Sequence, residues 1–440
     1  MEKRSKIVNF IKALAIILTV VLIVTGLSKL FLLKSEDGIN QFDALYKQPE
    51  NSIDALFLGS SLVYCNIATG VMWENHGLAA FDLGGAEAPA WVSYYQLKEA
   101  LRTQTPKVVC YEVSIAGMYP TLCQADNWAS DNSYGMKWNS NRIDQLRVNS
   151  EEEDFIKRLN PLNIMHGRYK DLTENDFTNV RNTADYKGFD PRESVSEQED
   201  PEIIEPSETE PCSEKAEEYI RKMIKLTKDN NIPIILFVSP YPATESQQKV
   251  NNYIGKIAES ENVPFIDFMR KSDEIGIDFS SDMADHSHLN YSGNYKFSDY
   301  FAKYLKETYD IPDRRGDKRY VSWDWDAALQ DYERCDLKIS TSADAGEVLT
   351  LAGNGYIVFG INEGRAVVIE DGEVRAEGEA GFRIPYRSGN DSFLFVEEGE
   401  GDYHHTCSLF VNDVEYKESY GNILFVYDAV RHEYVRSITY

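Results

Sequence analysis

Residues 54–62 read Asp-Ala-Leu-Phe-Leu-Gly-Ser-Ser-Leu, and this stretch decides how the chain is understood. A short apolar run that breaks at once into Gly59-Ser60-Ser61 reads as a buried strand delivering a serine into a tight turn. Working outward, four further runs of strand character occur at 79–83 (AAFDL), 107–113 (KVVCYEV), 232–239 (IPIILFVS) and 263–268 (VPFIDF). Amphipathic stretches at 68–76, 89–103, 213–229, 245–261 and 292–309 lie between and after them. The order β-α-β-α-β, insertion, α-β-α-β-α predicts an α/β layer around a parallel sheet.

The third and fourth strands stand about a hundred residues apart, far beyond an ordinary crossover, so 114–212 reads as an insertion. Its first half is aromatic, with Trp128, Tyr134, Trp138, Phe155 and Tyr169. Its second half, 193–214, carries nine acids and no base and predicts a solvated, disordered loop. From 320 onward the pattern changes to short alternating runs punctuated by Asn354-Gly355, Asp371-Gly372 and Asn412-Asp413, predicting a separate β-rich domain over 320–440.

The chain has 440 residues and a net charge of −27, with 42% hydrophobic and 27% charged residues. That length suits two or three domains and that composition a globular fold. The charge excludes a nucleic acid partner, because phosphate binding needs clustered Lys and Arg. The six cysteines, Cys65, Cys110, Cys123, Cys212, Cys335 and Cys407, form no C-x-x-C pair, so neither a zinc ribbon nor a disulfide scaffold is indicated.

The N-terminus departs from this acidity. Lys3, Arg4, Lys6, Lys12, Lys29 and Lys34 face only Glu2, and the window 7–33 is apolar apart from Asn9, small hydroxyls and two lysines that can snorkel. It is long enough to span a bilayer, and the basic residues before it put the N-terminus inside and the acidic bulk outside. A cleaved signal peptide is the rival reading, but Gly26-Leu27-Ser28 makes a poor cleavage site. Residues 35–52 read as a polar linker.

Two sets of residues carry chemistry. Ser61 falls at the C-terminal edge of a parallel sheet, where ligands of open α/β sheets bind. Far downstream, Asp285-His286-Ser287-His288-Leu289-Asn290 places a carboxylate three residues before an imidazole, a spacing that lets Asp285 orient His288 while its other nitrogen takes a proton from a serine. The same residues, with His286, also read as metal ligands or as plain surface loop. Trp128, Trp138 and His166 are candidate substrate-binding residues, since aromatic faces stack on sugar rings; core packing explains tryptophans equally well.

Together, Gly59-Ser60-Ser61-Leu62 after the first strand and Asp285-x-x-His288-Leu289-Asn290 after the fifth resemble the SGNH/GDSL hydrolase superfamily. The resemblance covers 53–309 and implies a flavodoxin-like three-layer domain over 53–310, with Ser61 as nucleophile and Asp285 and His288 completing the triad. Asp82-Leu83-Gly84-Gly85 matches the second block, so the resemblance makes the Ser61 and Gly84 N–H groups the oxyanion hole. The third block departs: Glu112-Val113-Ser114-Ile115-Ala116 has no asparagine, and Ser114 is the substitute it offers.

Within the superfamily the chain is similar to membrane-anchored cell-envelope members, such as the lipoteichoic acid D-alanylation and alginate acetylation proteins. That likeness implies hydrolysis or transfer of acyl esters on an envelope glycopolymer, alongside a membrane O-acyltransferase, with neither cofactor nor metal. The missing asparagine keeps a second expectation open, a catalytically silent glycan-binding scaffold.

Overall fold

The computed structural model describes residues 2–32, 38–117, 123–178, 186–341, 348, 355–362, 365–379, 381–397, 406–419 and 423–439. The chain divides into two compact units, Met1–Ala327 and Ala328–Tyr440.

The first unit opens with a long apolar helix, α1 (Glu2–Phe31), followed by α2 (Ile39–Lys47). Then come β1 (Ala55–Gly59), α3 (Ser61–Tyr64), α4 (Thr69–His76), β2 (Ala80–Gly84), α5 (Ala90–Ala100) and β3 (Val108–Glu112). The insertion supplies α6 (Asp126–Tyr134), α7 (Ser140–Val148), α8 (Glu152–Arg158), α9 (Pro161–Met165) and α10 (Glu174–Thr178). The α/β order resumes with α11 (Glu214–Asp229), β4 (Ile234–Val238), α12 (Glu245–Ser260), β5 (Phe265–Asp267), α13 (Ser272–Ile275) and α14 (Tyr291–Thr308).

The five strands form one sheet in the order β2-β1-β3-β4-β5, with every pair parallel. β1 to β4 are buried along their whole length, which is why they read as unbroken apolar runs rather than alternating ones. On one face Phe57, Phe237, Phe268, Phe297 and Phe301 interlock edge to face and pin α14 to the sheet centre. Because β1 is flanked by β2 on one side and β3 on the other, the direction of winding switches at the C-terminal end of β1, the kind of position at which open α/β sheets bind ligands.

Three expectations give way. The stretch 35–52 is not a plain linker: within it α2 buries Ile39, Phe42 and Leu45, whose spacing of three puts them on one helical face. The acidic stretch 193–213 forms neither helix nor strand, yet it is strapped to the domain. Ser196 N–H donates to the Met283 carbonyl at 2.9 Å, Gln198 N–H to Phe279 at 3.0 Å, and Asn252 Nδ2 to Glu208 O at 2.9 Å. Composition hides this, because the partners are Gln248, Asn252 and Arg270 on other elements. The β-rich pattern expected from 320 begins instead with a helix, α15 (Val321–Thr341), since Tyr320, Trp323 and Ala327 are buried at helical spacing.

In the second unit β9 (Arg383–Ser388) to β12 (Val414–Ser419) form a four-stranded sheet, and β6 (Tyr356–Asn362), β7 (Arg365–Glu370), β8 (Glu373–Gly378), β13 (Ile423–Asp428) and β14 (Glu433–Thr439) a five-stranded one. All pairings are antiparallel, and Phe359, Phe393, Phe395, Leu409 and Phe425 from both sheets share one core. Asp371-Gly372 and Asn412-Asp413 close hairpins with positive φ at both residues.

Candidate active site

The site is built on the turn after β1. Gly59 has φ 149°, and a Cβ there would fall 2.8 Å from Glu112 Cβ and 2.9 Å from Val63 Cγ2, so only glycine lets the chain turn this sharply. Ser60 caps α3, its side chain accepting from Leu62 N–H at 3.3 Å and its carbonyl from Val63 N–H at 3.0 Å. Ser61 is the first residue of that helix, and its N–H has no intrahelical acceptor.

The other half of the site is the loop before α14. Met283 and Leu289 bridge, and Ala284 N–H donates to His288 O at 2.8 Å, closing 284–288 into a tight loop. Inside it Asp285 Oδ1 accepts from Ser287 N–H at 2.8 Å and His288 N–H at 3.0 Å. Leu289 N–H donates to Asn66 Oδ1 at 2.9 Å, tying the loop to the chain just beyond α3. Asn290 caps α14 and also donates to the Ser281 and Met283 carbonyls, holding the loop from below.

The two halves meet. His288 Nε2 lies 2.8 Å from Ser61 Oγ, and His288 Nδ1 lies 2.8 Å from Asp285 Oδ2. With Asp285 accepting from Nδ1–H, Nε2 carries the lone pair that accepts the serine hydroxyl. Partial burial works to raise the Asp285 pKa, but the His288 hydrogen bond and the loop N–H groups overcome it and hold the carboxyl at about 2. His286 is 88% exposed, its Nδ1 4.0 Å from Asp285 Oδ1. Among the described residues no group of three or more His, Cys, Asp and Glu is placed to hold a metal.

Gly84 lies beside the serine turn: a Cβ on Gly84 would be 2.8 Å from the Ser60 carbonyl oxygen. Gly85 N–H is spent on Gly59 O at 3.0 Å. Ser114 does not substitute for the missing asparagine. Its N–H and hydroxyl both go to the buried Glu112 carboxylate, which also accepts from Ser239 N–H at 3.3 Å. Burial pushes the Glu112 carboxyl up to about 7, against the pull of these donors. Ser239 Oγ in turn donates to Leu62 O at 3.2 Å, so Glu112 braces the serine turn through one intermediary.

Sequence reasoning missed Glu112 and two insertion residues. Asn132, on α6, lies against Gly85 and donates to the Ala86 carbonyl at 2.7 Å, and Gln124 Nε2 donates to Glu87 O at 2.9 Å. A charged residue inside the apolar run 107–113 was a usable signal for Glu112; nothing local marks Asn132. Among the described residues no hydrogen bond or ring contact joins Trp128, Trp138 or His166 to Ser61, Gly84, Asp285 or His288. Trp138 is 58% exposed and stacks with Arg142, while His166 lies in a short 3₁₀ turn, His166–Lys170, and contacts the Leu162 carbonyl.

No protein-family model and no curated protein matches this chain. Among solved structures, a candidate acylhydrolase from Bacteroides fragilis NCTC 9343 matches with TM-score 0.31 and 12% identity, over 60% of this chain and 94% of its own. A gut microbial diltiazem-metabolizing enzyme matches with TM-score 0.22 and 13% identity over 59% of this chain. This chain spans 49% of that enzyme's length. Likenesses this distant carry no chemistry, which rests on the geometry above.

Proposed function

We propose that this protein is an extracytoplasmic serine esterase or O-acyltransferase of SGNH/GDSL type, acting on acyl esters of a cell-envelope glycopolymer. The observation that carries the reading is the continuous hydrogen-bond chain Ser61–His288–Asp285 at the C-terminal end of β1. A serine hydroxyl is a weak nucleophile unless a base takes its proton as it attacks. In this reading Ser61 Oγ attacks the ester carbonyl while His288 Nε2 accepts its proton, and Asp285 stabilises the imidazolium. The Ser61 and Gly84 N–H groups stabilise the tetrahedral oxyanion. His288 then gives its proton to the departing alcohol, leaving an acyl-Ser61. Water, or a glycan hydroxyl deprotonated by His288, attacks that ester and regenerates the serine.

The apolar helix Ile7–Phe31 supports anchoring in the cell membrane with the rest of the chain outside. A membrane O-acyltransferase supplying acyl groups fits this arrangement, and Trp128, Trp138 and His166 are proposed to contact the glycan. The engagement of Ser114 with Glu112 favours a second reading, a glycan-binding scaffold, because one oxyanion donor of the resemblance is lacking. Fluorophosphonate labelling of the full chain separates the two. Labelling that disappears in Ser61→Ala supports the enzyme; a folded wild type that neither labels nor turns over p-nitrophenyl acetate supports the scaffold.

A further inference from the structure

The anchor helix does not leave the rest of the chain at a bare point. Residues 7–23 of α1 are exposed, but Val24, Ser28, Leu30, Phe31 and Leu32 are partly covered. The cover is the insertion: α9, α10 and the His166–Lys170 turn all pack on α1. Ser28 Oγ donates to Asn160 Oδ1 at 3.2 Å and Arg168 Nη1 to the Phe31 carbonyl at 2.6 Å. Met165, Ile164 and Leu159 pack in one cluster with Phe31 and Leu32.

Counting places this cover at the membrane. A hydrocarbon core needs about 20 helical residues, and a span that begins near Ile7 reaches Gly26. The insertion therefore grips α1 from the last turn inside the hydrocarbon outward, over about 12 Å of helix rise. Around that grip Tyr169 and Phe177, on elements that touch α1, are 62% and 67% exposed, and Ile156 on the adjoining α8 is 67% exposed. Large apolar side chains exposed beside a membrane helix, with Lys157 and Lys170 next to them, fit the boundary between acyl chains and headgroups.

We infer that the helical insertion, residues 152–178, is a membrane-seated platform whose Tyr169, Phe177 and Ile156 enter the lipid interface around the anchor. The occupant of this surface is the phospholipid bilayer that holds α1, so the inference rests on the anchor reading above. The earlier part of the insertion, before this platform, holds the turn after Gly84 through Asn132 and Gln124.

The test uses the full chain in phosphatidylcholine vesicles, labelled with bimane at Tyr169→Cys, Phe177→Cys, Val20→Cys or Lys225→Cys, after subtracting labelled wild type. Lipid carrying a doxyl group near the headgroup is expected to quench positions 169 and 177 roughly two-fold or more, and to leave 225 bright. Quenching at 20 but not at 169 or 177 overturns the platform and leaves the anchor standing. No quenching at 20 removes the anchor and the platform with it. Protection of 169 and 177 from aqueous iodide without doxyl quenching assigns the patch to a second copy of this chain and also overturns the inference.

Discussion

His288 Nε2 and Ser61 Oγ stand 2.8 Å apart although 227 residues separate them, and each is presented by the end of a short element fixed by its own capping bonds. Ser61 begins a helix capped by Ser60, and His288 ends a loop locked by Asp285 and Asn290. In the proposed mechanism, preorganisation of this kind removes the entropic cost of bringing serine and imidazole together.

Replacing Ser61 or His288 by alanine is expected to lower p-nitrophenyl acetate turnover by roughly a thousand-fold or more while leaving the thermal midpoint nearly unchanged. Steady-state kinetics beside a melting curve checks this. Turnover retained in Ser61→Ala would sink the proposed mechanism.

Asp285→Asn keeps the shape of the loop but loses the charge that orients and stabilises the imidazolium. Activity is expected to fall by roughly two to four orders of magnitude at neutral pH. The Asp285 carboxyl is held down at about 2. A lowered folded-state pKa contributes stability that is present above the unfolded value and lost as pH falls toward 2. The wild-type rate should therefore show no inflection from this carboxylate between pH 4 and 5, which a pH–rate profile measures.

Glu112 and Asp82 are buried carboxyls with raised pKa values, and both push stability the other way. Glu112 rises from 4.5 to about 7 because of burial. Its contribution is complete below the unfolded value and is lost as pH climbs from about 4.5 through 7, a change of about 3 kcal/mol. Among the described residues neither Asp82 carboxylate oxygen has a hydrogen-bond partner, and burial alone pushes its pKa well up. Glu112→Gln and Asp82→Asn should each flatten the decline of the urea midpoint between pH 5 and pH 8. An unchanged slope in both variants would contradict this assignment.

Lys187 is almost wholly buried, pairs with Asp326, donates to Ser322 Oγ at 3.2 Å and lies over the Trp323 ring. Lys187→Met strands the Asp326 charge and is expected to cost about 3 kcal/mol. Adding Asp326→Leu should recover most of that loss, since an apolar pair fills the same space. Chemical denaturation of the two variants beside the wild type decides it.

The sequence by itself determined the sheet and the serine turn that ends its first strand. Five apolar runs, each bounded by Gly, Pro or Asn, mark the parallel strands, because strands covered on both faces, as β1 to β4 are, leave a continuous local pattern. The Gly59-Ser60-Ser61 turn and the Asp285-x-x-His288 spacing are local for the same reason, and so is the apolar helix Ile7–Phe31. Tertiary structure alone decided what depends on contacts between distant segments. It joined His288 to Ser61, turned Ser114 away to Glu112, and strapped 193–213 down through Gln248, Asn252 and Arg270. It also folded the insertion around the end of α1. Hydrogen bonds between residues far apart in the chain leave no periodicity, so a polar residue that braces a site and one that faces water look alike until the fold brings their partners beside them.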